Sequence, residues 1–419
     1  MKRLFMTLRR VGRMFAQTIL CGAIAATIGV IALLVTSALA QSETVLYSFG
    51  PPPDGDIPSS RVIQDAAGNL YGATGWGGLY NAGTVFELSP QNGAWVEKVL
   101  HSFGGPGDGA VPSGLLMDKA GNLFGAANNV VYELTPDGDG NWTETILKTF
   151  KAPFSGTSTD LTMDSAGRLY GRGGSGAHSA GLIYRLTPRS QKGRPWIYFV
   201  LYSFHPSLNN DGAGPNGDLV FDAAGNLYGA TALGGSHKHG TVFELSPAPK
   251  QWTEKILYDF QGASDGGEPS GGLIFDAKGN LYGPAISFGG AGGGVVFELS
   301  PNGGSWSETV LYSFTGGSDG GGPLGPLALH NGALYGTAEG GGSPNCQYGC
   351  GVVFKLSPSG GAWTETVVHS FTGSPDGEGP ESGVLFDSSG NLYGTTAIGG
   401  IVNSGCIGGT CGVLYQISH

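Results

Sequence analysis

Two groups of side chains in this sequence are suited to chemistry. Asp54, Asp108, Asp211, Asp265, Asp319 and Asp376 each stand immediately before a glycine. A carboxylate there serves either as a turn acceptor or as part of a ring that takes a cation or a polar ligand. The second group is Trp76, Tyr80, His178, His237, His239 and Phe288, which interrupt glycine-rich stretches. Flat aromatic faces beside titratable imidazoles suit sugars or peptides. His237 and His239, two residues apart, are also spaced to place a metal, although a solvated polar loop is the commoner use of such a stretch. No metal centre and no cofactor is assigned on this basis.

Recurrence decides how these residues are weighed. The phrase Glu43-Thr-Val-Leu-Tyr-Ser-Phe49 returns in varied form, ending at Phe103, Phe150, Phe204, Phe260, Phe314 and Phe371, so successive anchors lie 47 to 57 residues apart. A residue present in most copies is better explained by the geometry of the repeat than by one active site. Asp65, Asp118, Asp164, Asp222, Asp276 and Asp387 precede a hairpin glycine and are read as acceptors for turn amides. One strand position holds Glu87, Glu133, Arg185, Glu244, Glu298, Lys355 and Gln416, a mixture of signs that suits a solvated face. Asp137-Gly-Asp-Gly-Asn141 begins like a calcium loop, but Trp142 stands where the sharp-turn glycine belongs. It reads as an enlarged turn. No His-Glu-x-x-His is present, nor a phosphate-binding glycine loop ahead of a helix.

Each copy divides into four short strands. Between Pro269 and Phe314 these are 272–276, 281–283 with its continuation, 295–299 and 306–314, the first two joined by a turn at Gly279. The frame is offset: the chain opens on the last strand of a repeat and stops at His419, where another copy of that strand falls due. This offset predicts an all-β fold, a seven-bladed β-propeller of four-stranded antiparallel blades, with Glu43 to Phe49 completing the blade formed by residues 384–418. A solenoid is the rival, but it needs polar capping repeats. In a propeller the blade-to-blade connections share a face with the loops between second and third strands, so both groups of candidate residues are expected around the mouth of the central channel.

Gly-Asn-Leu-Tyr-Gly (225–229, 279–283, 390–394), Gly-Thr-Val-Phe-Glu-Leu-Ser-Pro (83–90, 240–247) and Val-Leu-Tyr-Ser-Phe resemble the GloVer tandem-repeat family of exported bacterial proteins. The resemblance covers nearly the whole chain after residue 40. It implies export and a repeat domain, often followed by a sorting or anchoring tail, and no such tail follows the last repeat here. It supplies no activity and no catalytic residue.

Composition agrees with an exported protein. Lys2, Arg3, Arg9, Arg10 and Arg13 precede a long apolar run ending Ala38-Leu39-Ala40, the pattern of a secretory signal peptide. Residues 1–40 are therefore expected to be removed, leaving 41–419 as one propeller domain that is secreted, monomeric and free of the membrane. An uncleaved anchor at 19–39 is the competing reading, since ~20 apolar residues span a bilayer. Removing five of 21 basic residues and none of 32 acidic ones leaves a formal balance of −16. That excludes nucleic acid as a partner, because phosphates demand clustered Lys and Arg. In an oxidising compartment Cys346 with Cys350 and Cys406 with Cys411 are expected to form short disulfides, with a four-sulfur zinc site as the alternative. The functional expectation is a binding or interaction module for a glycan, peptide or envelope component. The rivals are a polysaccharide lyase or hydrolase, using His178, His237 or His239 as base, and a purely structural envelope protein.

Overall fold

The computed structural model describes residues 42–418, apart from 59, 151–159, 174–175, 190–194, 206, 208–209 and 249–251. The signal segment expected at 1–40 lies outside the described residues. Among the described residues no helix is long and apolar enough to cross a membrane.

Seven antiparallel sheets form a propeller ring, six of them built from strands that follow one another in the chain. Blades one to six run Ile63–Ser102, Leu116–Thr149, Thr162–Ser203, Gly212–Asp259, Gly267–Ser313 and Gly321–Ser370. In blades five and six the first strand is interrupted, and both of its pieces pair with the second strand. Blade seven takes three strands from Leu385–Ser418 and its fourth from Ser42–Ser48, which pairs with Val413–Ser418. The expected closure by the amino-terminal strand is thus present.

The repeat phrases have plain physical causes. In Leu-Tyr-Gly the glycine lies beneath an aromatic ring from the third strand: a Cβ on Gly283 would fall 2.8 Å from the ring of Phe297. Gly229 and Gly336 stand in the same relation to Phe243 and Phe354. Each hairpin aspartate accepts two turn amides, as Asp276 does from Lys278 (2.8 Å) and Asn280 (2.9 Å), and Asp137 does the same in its enlarged turn. In blades one to six the register between third and fourth strands slips at one equivalent place, such as Val296/Phe297. A bulge there adds the twist a propeller blade needs.

The core is not central but lies between blades. Seven apolar clusters each join two neighbours, among them Leu257 and Phe260 of blade four with Leu281 and Phe297 of blade five. The terminal phenylalanine of each repeat phrase packs on a third-strand ring of the following blade. These pairs are Phe103–Tyr132, Phe150–Tyr184, Phe204–Phe243, Phe260–Phe297, Phe314–Phe354, Phe371–Tyr415 and Phe49–Phe86, with centroids 4.9 to 5.2 Å apart.

Candidate functional site

Connections between blades and loops after second strands share one face, as expected, and backbone hydrogen bonds tie them. Gly78 N donates to Asp54 O (2.7 Å), Gly235 N to Asp211 O (2.9 Å) and Gly342 N to Gly317 O (2.8 Å).

The six connection aspartates are turned back into their own blades. Asp54 Oδ2 accepts from Tyr47 Oη (2.9 Å) and Gly50 N (2.7 Å). Tyr202, Tyr258 and Tyr312 serve Asp211, Asp265 and Asp319 in the same way, at 2.9 to 3.0 Å. In two copies histidine replaces tyrosine, so that His101 Nε2 lies 3.0 Å from Asp108 Oδ1 and His369 Nε2 lies 3.1 Å from Asp376 Oδ1. None of the six aspartates is among the residues lining the central channel. Their bonds are those of turn acceptors, and they sit at the clefts between blades.

Each cleft also holds a glutamate from the fourth strand of the following blade. Burial first, and the charge of Asp54 second, push Glu97 up to about 8. Burial followed by Asp211, Asp265 and Asp319 pushes Glu254, Glu308 and Glu365 up to about 7. Carboxyl groups that share a poorly solvated cleft hold a proton into the neutral range.

The unshared residues separate into distinct places. Trp76 lines the central channel. Tyr80 borders an outer cavity of about 760 Å³ with Asp54, Glu97, His101 and Asp108. His239 packs edge-on against Phe288, with centroids 4.7 Å apart, so adjoining blades share that contact. His178 lies against His205 at 3.6 Å. His237 Nδ1 meets Ser236 Oγ at 3.0 Å and Asp259 Oδ1 at 3.9 Å, while Ser236 Oγ donates to Asp259. Serine and aspartate thus meet the same imidazole nitrogen, so no proton relay runs through the ring. His178, His237 and His239 do not hydrogen-bond a connection aspartate among the described contacts; His101 and His369 do, and these were not singled out from sequence.

Two further features escape the repeat pattern. The channel is a cavity of about 300 Å³ bounded by residues from all seven blades. Most positions preceding the first buried leucine or valine of a blade are glycine or proline, but three carry charge: Arg61, Asp160 and Asp218. Arg61 Nη2 lies 3.8 Å from Asp218 Oδ2, and buried Arg172 donates to Pro215 O at 3.2 Å. Beside the channel mouth, a cavity of about 550 Å³ lies between blades six and seven. Its floor is glycine backbone, and its walls include Glu339, Glu378, Glu381 and Tyr348, a residue 81% exposed. Glu381 and Ile57 line both spaces. Burial raises all three glutamates, and the charge of Glu339 adds to the effect at Glu381.

Cys346 is bonded to Cys350 and Cys406 to Cys411, so the thiols are used as disulfides. The first bond closes the loop that carries Tyr348 over the cavity. The second lies by Asp56, which accepts from Ile407 N at 2.8 Å.

No curated protein sequence matches the chain. Among solved structures it is similar to a streptogramin B lyase, at 13% identity and a TM-score of 0.55, covering 90% of this chain and 97% of that one. Virginiamycin B lyase from Staphylococcus aureus gives 12% identity and a TM-score of 0.55, covering 90% and 98%. The extracellular domain of a hybrid two-component system from B. thetaiotaomicron gives 12% identity and a TM-score of 0.53, covering 90% and 42%. At such identities the likeness concerns the propeller fold alone. The Gloeobacter/Verrucomicrobia repeat matches residues 22–171, 127–274 and 253–410, so the chain belongs to that repeat family.

Proposed function

We propose that this protein is a secreted β-propeller binding module whose loop face takes a ligand bearing a primary amine, either a peptide lysine or an amino sugar. The observation that carries this reading is the cavity between blades six and seven. Three carboxyl groups held above their ordinary range by burial are poorly solvated acceptors. An ammonium group seated among them replaces missing water with charge-assisted hydrogen bonds, and glycine backbone lets the ligand approach closely. Tyr348 offers an aromatic face at the rim. The two disulfides and the basic-apolar leader support secretion.

Peptide and glycan arrays probed with the purified protein test this. Hits are expected to concentrate on free amines and to vanish when those amines are acetylated. The peptide and glycan arms distinguish the two sources. Hits indifferent to acetylation would contradict the reading, and an absence of hits would favour a purely structural envelope role.

A further inference from the structure

Of the six inter-blade clefts that hold a connection aspartate, two differ from the other four in one residue, and that residue changes what they can bind. In four copies a tyrosine donates its hydroxyl proton to the connection aspartate. A phenol in that role gives a proton, and its neutral oxygen is a poor metal ligand. At His101 and His369 an imidazole takes the place, and a neutral imidazole nitrogen is a metal ligand.

The result is one constellation built twice. His101, Asp108 and Glu144 present one ligand atom each within 4.8 Å of one another, and so do His369, Asp376 and Glu43. In the first, His101 Nε2 lies 3.0 Å from Asp108 Oδ1 and 3.9 Å from Glu144 Oε1. Ligand atoms about 2.1 Å from a tetrahedral zinc stand roughly 3.4 Å apart, so small side-chain movements close the site. Glu144 Oε1 and Glu43 Oε1 are buried oxygens without a hydrogen-bond partner, as are those of Glu97, Glu254, Glu308 and Glu365 in the tyrosine clefts, but in the two histidine clefts an imidazole stands within 4.8 Å of that carboxylate. A buried acceptor left open at the centre of a ligand set is what a cation satisfies. His101 and Asp108 also border the outer cavity, which gives an ion a route in and leaves room for a fourth ligand from water.

We propose that the clefts His101–Asp108–Glu144 and His369–Asp376–Glu43 are two equivalent sites for a divalent transition-metal ion of the zinc class, each held by one imidazole and two carboxylates. Each ion clasps two neighbouring blades. His101 and Asp108 belong to blade one and its exit, whereas Glu144 belongs to blade two. At the second site Glu43 comes from the amino-terminal strand, so that metal fastens the strand that closes the ring.

The repeats provide the control substitution. His101→Tyr and His369→Tyr install the residue that four other copies already carry, so the fold and the hydrogen bond to aspartate are retained. Untagged protein stripped with chelator is titrated with Zn²⁺ by calorimetry, and thermal unfolding is followed with and without the metal. Wild type is expected to show two equivalents of micromolar or tighter binding. Each single variant is expected to lose one equivalent and the double variant both, with the metal-dependent rise in Tm lost in step. Metal-free variants should unfold within a few degrees of wild type, which shows that they are folded. Zn²⁺ uptake that survives both substitutions, or no uptake by folded wild type at micromolar metal, overturns the proposal.

Discussion

The ring of Phe49 packs edge-on against that of Phe86, with centroids 5.0 Å apart and planes at 65°. Phe49 directly follows the amino-terminal strand of blade seven, and Phe86 lies in the third strand of blade one. The contact is therefore the seam at which the chain meets its own beginning. It repeats the packing of the six other blade junctions, and Phe49 N donates to Gly412 O at 3.0 Å. Phe49→Ala leaves a cavity at this seam and is expected to cost about 3 to 5 kcal/mol, as for other buried aromatic truncations. Urea unfolding measures it. A loss under 1 kcal/mol would mean that the strand contributes little to closure.

Stability should fall as pH rises through the neutral range. Glu97 and Glu308 are held at about 8 and about 7, above the ordinary value of 4.5. The folded state therefore binds these protons more tightly than the unfolded chain. The resulting stabilisation is complete below about pH 4.5 and is lost as pH rises through 7 to 8. Glu97→Gln removes this dependence at one cleft. The variant should exceed wild type by about 1 to 2 kcal/mol at pH 9, after allowance for partial exposure, with a much smaller difference at pH 5. Denaturant titrations at the two pH values decide it, and equal differences at both would refute the assignment.

The Cys346–Cys350 bond closes a very short loop, so it constrains the unfolded chain little. Cys346→Ser with Cys350→Ser should lower stability by at most about 2 kcal/mol on the chain-entropy model. Ligand binding should suffer more, because Tyr348 loses its fixed place at the cavity rim. The variant's Tm and its affinity for an amine-bearing array hit test the two halves separately.

Recurring residues made the fold legible. The phenylalanine anchors state one local requirement seven times and the hairpin aspartates state another six times, and the offset frame predicts the completed seventh blade. The Leu-Tyr-Gly glycines belong to the same class, since a Cβ there meets a ring. The candidate sites were less legible because they arise between blades. Glu339 ends a second strand, and Glu378 and Glu381 lie in the next connection. They converge only because ring curvature sets blade seven beside blade six, and nothing in their spacing announces it. The histidine clefts did leave a trace: Leu-Tyr-Ser-Phe becomes Leu-His-Ser-Phe at residue 101 and Val-His-Ser-Phe at residue 369. Read against the other copies, that exchange of a proton donor for a metal ligand marks the clefts that differ. The expected placing of the connection aspartates at the channel mouth gave way to the inter-blade clefts, because each carboxylate is drawn back by amides and a tyrosine or histidine of its own blade.

Recognition of an amine by the loop face depends on Glu339, Glu378 and Glu381, and one titration tests this most directly. An amine-bearing array hit is titrated calorimetrically into wild type and into the Glu339→Gln, Glu381→Gln double variant, with circular dichroism confirming the fold. Loss of two charge-assisted hydrogen bonds should weaken binding at least about tenfold. Equal affinity for the two folded proteins would contradict the account.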